Sequence, residues 1–298
     1  MPTRVSVISV FYNRQDLVGD SVRSLLGQER ADEIILVDDG STDATGERLD
    51  AFAGGAVRVV RQANRGFTPT MAAMVEQAAG DYIAIHGSGD LSLPGRFAAQ
   101  AAALDTDAGL AAVGCWRRMQ QVGRGTQERR AGFGADAART LLRRNPYSQG
   151  EVMFRRGHYR QAGGYRAVFR FAQDRDLWCR MSRVGRLDIV EQELYHQFSH
   201  VPGSVSGTPH KRLLQRFFSD AAVWCHREAL AGRGDPIDRF GPDAVLMRPR
   251  SARLARALAV EALGYRRSGD AAAARLFAEA SWIEAWTLPG AFARLRCG

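Results

Sequence analysis

The amino-acid sequence predicts an α/β fold with parallel strands, helices on both faces of the sheet, and a helical part at the C-terminus. Short apolar runs alternate with segments of helical periodicity through roughly the first 115 residues, which is the pattern of a parallel sheet. From about Thr208 onward, long helical patterns dominate. A chain of 298 residues suits one domain of about 200 residues with an appendage.

Five apolar runs in the N-terminal part predict buried strands, because each run is short and bounded by turn-forming residues. These strands are Val5–Val10, Ile34–Val37, Val57–Val60, Tyr82–Ile85 and Leu110–Cys115. Apolar residues spaced along one helical face predict helices between them. These helices are Asp16–Gln28, Thr68–Ala79 and Pro94–Leu104.

The next stretch, Arg117–Gly134, is polar, basic and glycine-bearing, and it predicts an exposed loop. Helices and strands then alternate again, at Ala135–Arg143, Glu151–Phe154, Asp174–Val184 and Leu187–Phe198. The C-terminal part predicts three helices, at Lys211–Leu230, Ser251–Arg267 and Asp270–Trp286. The last two resemble one tetratricopeptide-like hairpin. The linker Ala231–Pro249, rich in Gly, Pro and Asp, predicts a boundary.

Composition narrows the function classes. Four cysteines lack paired spacing, which predicts reduced, buried thiols rather than a zinc site or disulfides. No apolar run approaches the roughly 20 residues of a membrane span, and the N-terminus lacks the plan of a signal peptide, so we expect a cytoplasmic protein. The net charge of +9 favours an anionic partner. Zinc-finger, helix-turn-helix and aromatic-basic RNA motifs are lacking, so we expect no nucleic acid partner.

Two strand ends carry polar groups suited to a ligand. VDDGS places Asp38 and Asp39 at the end of a buried strand, and ligands of open α/β sheets bind at that edge. Asp38 either contacts the ligand or only closes an Asx-turn. IAIHGSGDLSLPGRF brings a histidine, two glycines and a single carboxylate, Asp90, to the end of another strand. A metal or phosphate site fits there, although a nucleotide site usually has at least two acidic groups.

Five motifs lie in register along the first part of the chain. The first combines VSVISVFYNRQDLVGDSVRSLLGQ with EIILVDDGSTDAT. NRGFT, AAGDYIAIHGSGDLSLPGRF, GGYR and FAQDRDLWCRM follow, with ELYHQFSHVPGSVS trailing. Together these motifs resemble the family-2 glycosyltransferases of the GT-A fold, over about the first 206 residues. The resemblance implies a glycosyltransferase domain over residues 1–206, with a nucleotide-sugar half at 1–115, an acceptor half at 116–206, and a helical extension at 207–298.

The resemblance implies a nucleotide-diphospho-sugar donor and assigns residues to it. Asp39 accepts a hydrogen bond from the base or ribose in this interpretation. The other implied donor-binding positions are Val10, Tyr12, Asn13, Asp38, Asn64, Arg65, Gly66 and Ser88. The family usually carries an arginine-asparagine pair after the third strand, where this chain has Met71 and Ala72. One polar contact to the donor is therefore expected to be missing.

The family's D-x-D motif ligates Mn²⁺ or Mg²⁺, which bridges the diphosphate oxygens. Aligned through Pro94, its two aspartate positions fall on Gly87 and Gly89. Three interpretations stay open. Asp90 reaches the divalent cation through a shifted turn, helped by His86 or His200; or arginines hold the diphosphate without a metal; or the protein is catalytically silent.

The second chemical centre is QDRDLWCR, where the resemblance makes Asp174 the base that takes the acceptor proton. Gln173 replaces the family's glutamate at the preceding position. Asp176 is interpreted as a charge at a helix N-terminus. Leu177 and Trp178 are predicted to be core residues rather than a sugar platform.

These inferences predict an inverting glycosyltransferase that acts on a saccharide, glycolipid or other glycan acceptor. The alternative is a sugar-nucleotide-binding or scaffold protein of the same fold. A nucleotidyltransferase would need a glycine-rich basic stretch where FYNRQ stands, and a dehydrogenase would need G-x-G-x-x-G.

The C-terminal helices support two interpretations. Arginines and leucines of Ser251–Arg267, with Leu254, Leu258 and Leu263 among them, suggest a peripheral contact with the inner face of the cell membrane. A helical appendage packed on the catalytic domain, or a homodimer contact, fits the same residues.

Overall fold

The computed structural model describes residues 4–121, 125–130, 132–199 and 207–297. Its contacts divide the chain into two compact units, Met1–Gly203 and Ser204–Gly298. The predicted boundary after residue 206 lies outside the described ranges. Among the described helices, none combines the length and apolarity needed to cross a membrane.

The first unit is built on one sheet, which has nine strands among the described residues. In chain order they are β1 (Val5–Phe11), β2 (Glu33–Asp39), β3 (Val57–Gln62), β4 (Tyr82–Ile85), β5 (Leu91–Ser92), β6 (Leu110–Gln121), β7 (Gly125–Arg129), β8 (Met153–Arg155) and β9 (Arg186–Ser199). Their spatial order is β3-β2-β1-β4-β8-β6-β9-β5, and β7 pairs with β6.

Strands β1 to β4 are parallel, as the apolar runs predict. All seven residues of β1 are buried, because helices cover both faces of a parallel sheet. Strand β8 pairs antiparallel with β4, so its first residues reach the edge where β1 to β4 end. The predicted halves of the first unit share this sheet, since the division at residues 115 and 116 falls inside β6.

Helices of the first unit pack on the two faces of the sheet. They are α1 (Val18–Arg23), α2 (Thr45–Asp50), α3 (Phe67–Gln77), α4 (Arg96–Thr106), α5 (Ala137–Arg143), α6 (Arg156–Gln161) and α7 (Gln173–Met181). Two separate apolar cores result: α3 and α7 contribute to one, and α1 and α4 to the other. The predicted fold class, helices on both faces included, is confirmed.

Two local predictions for the first unit are wrong. Arg117–Gly134 is not a loop throughout, because β6 continues to Gln121 and pairs with β7 as a hairpin. All of β7 is exposed, so its residues carry no apolar alternation that would reveal a strand. The helix predicted at Asp16–Gln28 is shorter: a 3-10 turn at Gln15–Leu17 precedes α1, which ends at Arg23.

The second unit is helical. Its helices are α8 (Pro209–Leu230), α9 (Pro236–Phe240), α10 (Ala252–Arg267), α11 (Ala271–Glu284) and α12 (Leu288–Cys297), with a 3-10 helix at Pro242–Met247. Helices α10 and α11 form the predicted hairpin. The segment predicted as a linker, 231–249, belongs to this unit instead, because Ile237 and Ala244 are buried in it.

Candidate functional site at the carboxyl edge of the sheet

The carboxyl ends of β1 to β4 meet at one edge of the sheet. Phe11 lies beside Asp38, and Asp39 lies beside Gln62, so the turns after β1, β2 and β3 are neighbours. Strand β4 ends on the other side of β1. Parallel strands whose connections diverge in this way leave a crevice for a ligand.

Asp39 is buried and organises the loop after β3. Its Oδ1 accepts hydrogen bonds from Gln62 Nε2 at 2.7 Å, Arg65 N at 3.0 Å and Thr70 Oγ1 at 3.0 Å. Its Oδ2 accepts one, from Gly66 N at 2.9 Å. A carboxylate oxygen offers about two lone pairs, and Oδ2 accepts one hydrogen bond among the described contacts.

Asp38 and Asn13 tie the first two turns together. Asp38 Oδ1 accepts a hydrogen bond from Ser41 N at 3.0 Å, which is the Asx-turn geometry. Asn13 has a left-handed φ of 50°, and its Oδ1 accepts a hydrogen bond from Thr42 N at 2.8 Å. Tyr12, between β1 and Asn13, is 47% exposed.

The other donor-binding positions from the sequence lie around the same edge. Asn64 and Arg65 are exposed, Gly66 and Ser88 are partly buried, and the Val10 side chain is in the core. Gly40, with φ of 76°, lets the turn after β2 approach the loop after β3, because a Cβ there would lie 2.5 Å from Asn64 N. The two loops therefore form one surface.

Asp90 folds back over the turn that follows β4. Its Oδ2 accepts a hydrogen bond from the Tyr195 hydroxyl at 2.6 Å, and its Oδ1 accepts one from Phe198 N at 2.9 Å. Burial raises the pKa of this carboxyl to about 6, with Glu151 adding to the rise, while Tyr195, Phe198 and Arg96 oppose it. Asp90 is therefore mostly ionised at neutral pH and mostly protonated below about pH 5.

The two D-x-D positions accommodate glycine for different structural reasons. A Cβ at Gly87 would lie 2.3 Å from Asp90 Oδ2, so the Asp90 carboxylate fills the space of a side chain at residue 87. Gly89 has φ of 101°, and a Cβ there would lie 2.7 Å from Leu17. The turn therefore presents one carboxylate, carried by Asp90, beside the backbone of Gly87.

His86 and Arg96 support the turn from below. Both ring nitrogens of His86 are hydrogen-bonded at 3.0 Å, to Ser21 Oγ and Ser92 Oγ. Burial and the nearby Arg96 lower its pKa to about 3, so it is neutral and has no free nitrogen for a metal. Arg96 is fully buried and donates to the carbonyl oxygens of Ile85 and Gly150, each at 2.8 Å.

Glu151, just before β8, is a site residue that the sequence does not reveal. It is fully buried and pairs with Arg117 at 2.8 Å. Its charge contributes to the raised pKa of both Asp90 and Asp174, after burial as the main cause. Glu151 therefore places negative charge near both the turn after β4 and the start of α7. Its one signal in the sequence is a carboxylate at the start of a short apolar strand.

Asp174 lies in the first turn of α7. Its Oδ2 accepts a hydrogen bond from Asn145 Nδ2 at 3.0 Å. Burial raises the pKa of Asp174, and Glu151 adds to the rise. A carboxylate with a raised pKa is a better proton acceptor near neutral pH. The neighbouring Gln173 donates a hydrogen bond to Gln149 Oε1 at 2.8 Å.

Other residues of the QDRDLWCR motif are structural. Asp176 is buried and accepts two hydrogen bonds on Oδ2 from Arg180, at 3.1 and 2.6 Å, with Arg166 at 3.4 Å from its Oδ1. Leu177 and Trp178 are completely buried in the core, as predicted. Of the two carboxylates in this motif, Asp174 is the one that is partly exposed, and it lies at the helix start.

The described side chains offer few ligands for a divalent cation. Among the described residues, no group of three or more His, Cys, Asp and Glu side chains is placed to hold a metal. Mg²⁺ and similar ions are often held by one or two carboxylates together with substrate phosphates, and Asp90 fits that simpler arrangement. His200 lies outside the described residues.

Substitution of Gly87 by alanine tests the placement of Asp90. We expect Gly87→Ala to displace the Asp90 carboxylate from Tyr195, because the new Cβ would lie within 2.3 Å of Oδ2, and to destabilise the fold by about 1–3 kcal/mol. Gly157→Ala is the matched control, since a Cβ there meets open space. Chemical denaturation measures both; equal stability of the two variants would contradict the described turn.

Comparisons with known proteins agree with this geometry. The family model described as "Glycosyl transferase family 2" matches residues 6–177. EpsE of Bacillus subtilis (strain 168), named as a glycosyltransferase, is 31% identical over 198 residues, which are 61% of this chain and 68% of EpsE. Glycosyltransferase GlyG of Streptococcus pneumoniae serotype 4 is 40% identical over 95 residues, 30% of this chain and 32% of GlyG.

Two solved structures share the fold at low sequence identity. S. aureus TarS in complex with UDP-GlcNAc has a TM-score of 0.58 and 16% identity, covering 92% of this chain and 90% of that chain. The mannosyltransferase PcManGT from Pyrobaculum calidifontis, in complex with GDP-Man and Mn²⁺, has a TM-score of 0.55 and 19% identity, covering 98% and 78%. These likenesses confirm the GT-A-type fold. The match to the family model and the likeness to EpsE show that the chain belongs to the family 2 glycosyltransferases.

Proposed function

We propose that this glycosyltransferase is an inverting enzyme that moves a sugar from a nucleotide-diphospho-sugar to an acceptor hydroxyl, with Asp174 as general base. The observation that carries the proposal is Asp174 itself. The residue is partly exposed, its carboxylate accepts hydrogen bonds from the Asn145 side chain and from backbone N–H groups at the start of α7, and its pKa is raised, first by burial of the carboxyl group. Those properties suit a carboxylate that accepts a proton during the reaction.

The donor is assigned to the loops after β1, β2 and β3. Asp39 Oδ2 accepts a hydrogen bond from the base or ribose, and the exposed Tyr12 and Arg65 flank it. The UDP-GlcNAc complex of TarS and the GDP-Man complex of PcManGT support a nucleotide-sugar donor for this fold. Asp38 and Asn13 hold the first two loops in place. The remaining donor positions in this proposal are Val10 in β1, Asn64 and Gly66 after β3, and Ser88 in the turn after β4.

The proposed step exchanges one bond at the anomeric carbon for another. The acceptor oxygen forms a bond to that carbon from the face opposite the diphosphate, and the carbon–oxygen bond to the diphosphate breaks. The acceptor proton passes to Asp174, and the electron pair of the broken bond leaves on the nucleoside diphosphate. Attack from the opposite face inverts the anomeric configuration.

Asp90 is the residue that would hold a divalent cation, Mn²⁺ or Mg²⁺, at the diphosphate. When bound, such an ion neutralises charge on the leaving group. The Asp90 carboxylate oxygens each accept one hydrogen bond and retain one lone pair for this purpose. Without the ion, arginines would have to carry the charge, and Arg14 is near enough to Asp90 for the two to interact electrostatically.

The acceptor class in this proposal is a saccharide or a lipid-linked glycan, met at the inner face of the cell membrane. A homodimer remains compatible with the proposal. A catalytically silent sugar-nucleotide-binding protein is the second candidate, favoured by one observation: glycines occupy both D-x-D positions, and the one carboxylate beside them is already hydrogen-bonded.

Metal dependence and its pH profile separate these candidates. We expect Mn²⁺ to stimulate release of nucleoside diphosphate from a matching donor above about pH 6, and the stimulation to vanish as the pH falls below about 5, because Asp90 becomes protonated. Asp90→Asn should lose the stimulation at every pH. Release that is identical with Mn²⁺ and EDTA would favour arginines alone. No release with any donor would favour the silent protein.

The free energy of unfolding provides a control, because it should fall as the pH rises whereas the stimulation by Mn²⁺ should increase. The pKa of Asp90 is raised in the folded state to about 6. The stabilisation that protonated Asp90 gives the folded state is therefore fully present below about pH 4, and it is lost as the pH rises through about 6. We expect wild type to lose roughly 3 kcal/mol relative to Asp90→Asn across that range, measured by urea unfolding.

A further inference from the structure

Six large apolar side chains are exposed together at the end of the helical unit. They lie on the last turn of α11, on the segment after it and on α12, and their exposed fractions run from 37% to 87%. We call them the apolar stripe: Trp282, Ile283, Trp286, Leu288, Phe292 and Leu295. Isolated exposed apolar residues are ordinary, but six of them within the fourteen positions from 282 to 295 indicate an interaction surface.

Helix α12 exposes its large apolar side chains and buries its small residues. Leu288, Phe292 and Leu295 follow the i, i+4, i+7 spacing of one helical face, and that face is exposed at 74%, 49% and 87%. The opposite face carries Gly290, Ala293 and Cys297, which are buried. A surface helix normally turns its larger apolar residues to the core. Here the small residues pack inward, so the large ones are left for another partner.

Arginines border the apolar stripe. The Arg294 guanidinium stacks over Trp282 at 4.9 Å, and Arg296 stacks over Phe292 at 5.3 Å. Arg296 and Phe292 also line an open pocket of about 310 Å³ together with Leu263, Arg266 and Arg267, which we call the arginine pocket. The sequence from Ala285 to Gly298 contains no Asp or Glu. The border of the stripe is therefore strongly cationic.

These cations have no acidic partner among the described side chains: no ion pair within 4.0 Å involves Arg266, Arg267, Arg294 or Arg296. By contrast, Arg253 on α10 pairs with Asp220. The α10 leucines named in the sequence hypothesis, Leu254 and Leu258, are buried in the core. These two leucines hold the helical unit together and are not available to a membrane, so the contact expected from α10 stays a prediction that involves Leu263, Arg266 and Arg267.

The charge decides between the two simplest occupants. In a symmetric dimer the same patch meets itself, which would bring the unpaired arginines of both copies together. An anionic lipid surface instead supplies headgroup phosphates for the arginines and an acyl boundary for tryptophan, leucine and phenylalanine. Tryptophan is also the side chain most typical of that boundary.

We propose that the apolar stripe and the arginine pocket dock the protein on an anionic membrane surface. The apolar stripe enters the boundary between headgroups and acyl chains, and the arginine pocket takes a headgroup phosphate. Only the role of this docking surface, which is to bring the enzyme to a lipid-linked acceptor, rests on the proposed function. Binding itself is a property of the helical unit and needs no donor.

Co-sedimentation of the full chain with vesicles tests the surface. We expect binding to phosphatidylcholine vesicles that contain about one-third phosphatidylglycerol, little binding to phosphatidylcholine alone, and weaker binding at about 0.5 M NaCl than at about 0.05 M. Trp286→Gln/Leu288→Gln/Leu295→Gln should weaken partitioning at least about tenfold, because it removes apolar area that would enter the membrane. Leu246→Gln, at a residue 83% exposed outside the stripe, is its control.

The pocket has its own matched pair of variants. Arg267→Glu/Arg296→Glu should abolish the preference for anionic vesicles, whereas Lys211→Glu/Arg256→Glu, with the same change in net charge, should keep it. The proposal would be overturned if the stripe variant bound vesicles as well as wild type, or if wild type did not bind them. A wild-type dimer in light scattering that the stripe variant converts to monomer would also overturn it. Donor binding in the same samples separates failure of this surface from failure of the proposed function.

Discussion

Asp174→Asn is expected to lower kcat for sugar transfer by about 10²–10⁴-fold and to leave donor affinity unchanged within about twofold. The amide keeps the shape of the side chain but cannot accept the acceptor proton. The existing hydrogen bond from Asn145 Nδ2 can still end on the amide oxygen, so the start of α7 should stay in place. Initial rates at saturating acceptor, together with calorimetric donor titration, measure the two quantities.

The control for this variant is Asp243→Asn, which changes an exposed aspartate in the helical unit. It should transfer sugar at the wild-type rate. If Asp174→Asn keeps more than about a tenth of wild-type kcat, Asp174 is not the base. A loss of donor affinity equal to the loss of rate would instead place Asp174 in donor binding.

Asp176→Ala is expected to destabilise the first unit by about 3–5 kcal/mol. The substitution leaves the Arg180 side chain, which is 2% exposed, without the carboxylate oxygen that accepts hydrogen bonds from two of its N–H groups. A buried charge without a partner is costly, whereas replacing both partners by apolar residues is often close to neutral. Urea unfolding measures the loss, and the double variant Asp176→Leu/Arg180→Leu should recover part of it.

An exposed pair in the same domain provides the contrast. Asp20 and Arg23 are joined at 2.7 Å, but their side chains are 83% and 64% exposed. Asp20→Ala should therefore cost less than about 1 kcal/mol. Equal losses for Asp20→Ala and Asp176→Ala would mean that the buried pair does not hold α7 in position.

The core of the sheet was predictable because burial on both faces leaves an unbroken apolar run. Strands β1, β2 and β4 carry such runs. Strand β2 continues through Asp38 and Asp39, two residues beyond its apolar run. The hairpin partner β7 is fully exposed, so its sequence has no alternation of apolar and polar residues from which a strand could be predicted. In α12 the outward stripe has ordinary helical spacing, and only the packing of Gly290 and Ala293 shows which face is inside.

The candidate site was predictable where a motif carries a charge at a strand or helix end, as at Asp39, Asp90 and Asp174. Its supporting residues were not. Tyr195 reaches Asp90 from a strand 105 positions away in sequence, and Glu151 raises the pKa of both Asp90 and Asp174 only because the fold brings it near them. Such pairings depend on tertiary contacts, which no local pattern encodes.

Calorimetric titration with UDP-, GDP-, dTDP- and CMP-sugars tests the central claim most directly. We predict that one class of donor binds wild type at a single site, that Asp174→Asn binds it equally well, and that Asp39→Asn binds it at least about tenfold more weakly. Thermal melting of each protein confirms that it is folded. Failure of every sugar nucleotide to bind the folded wild-type chain would contradict the account.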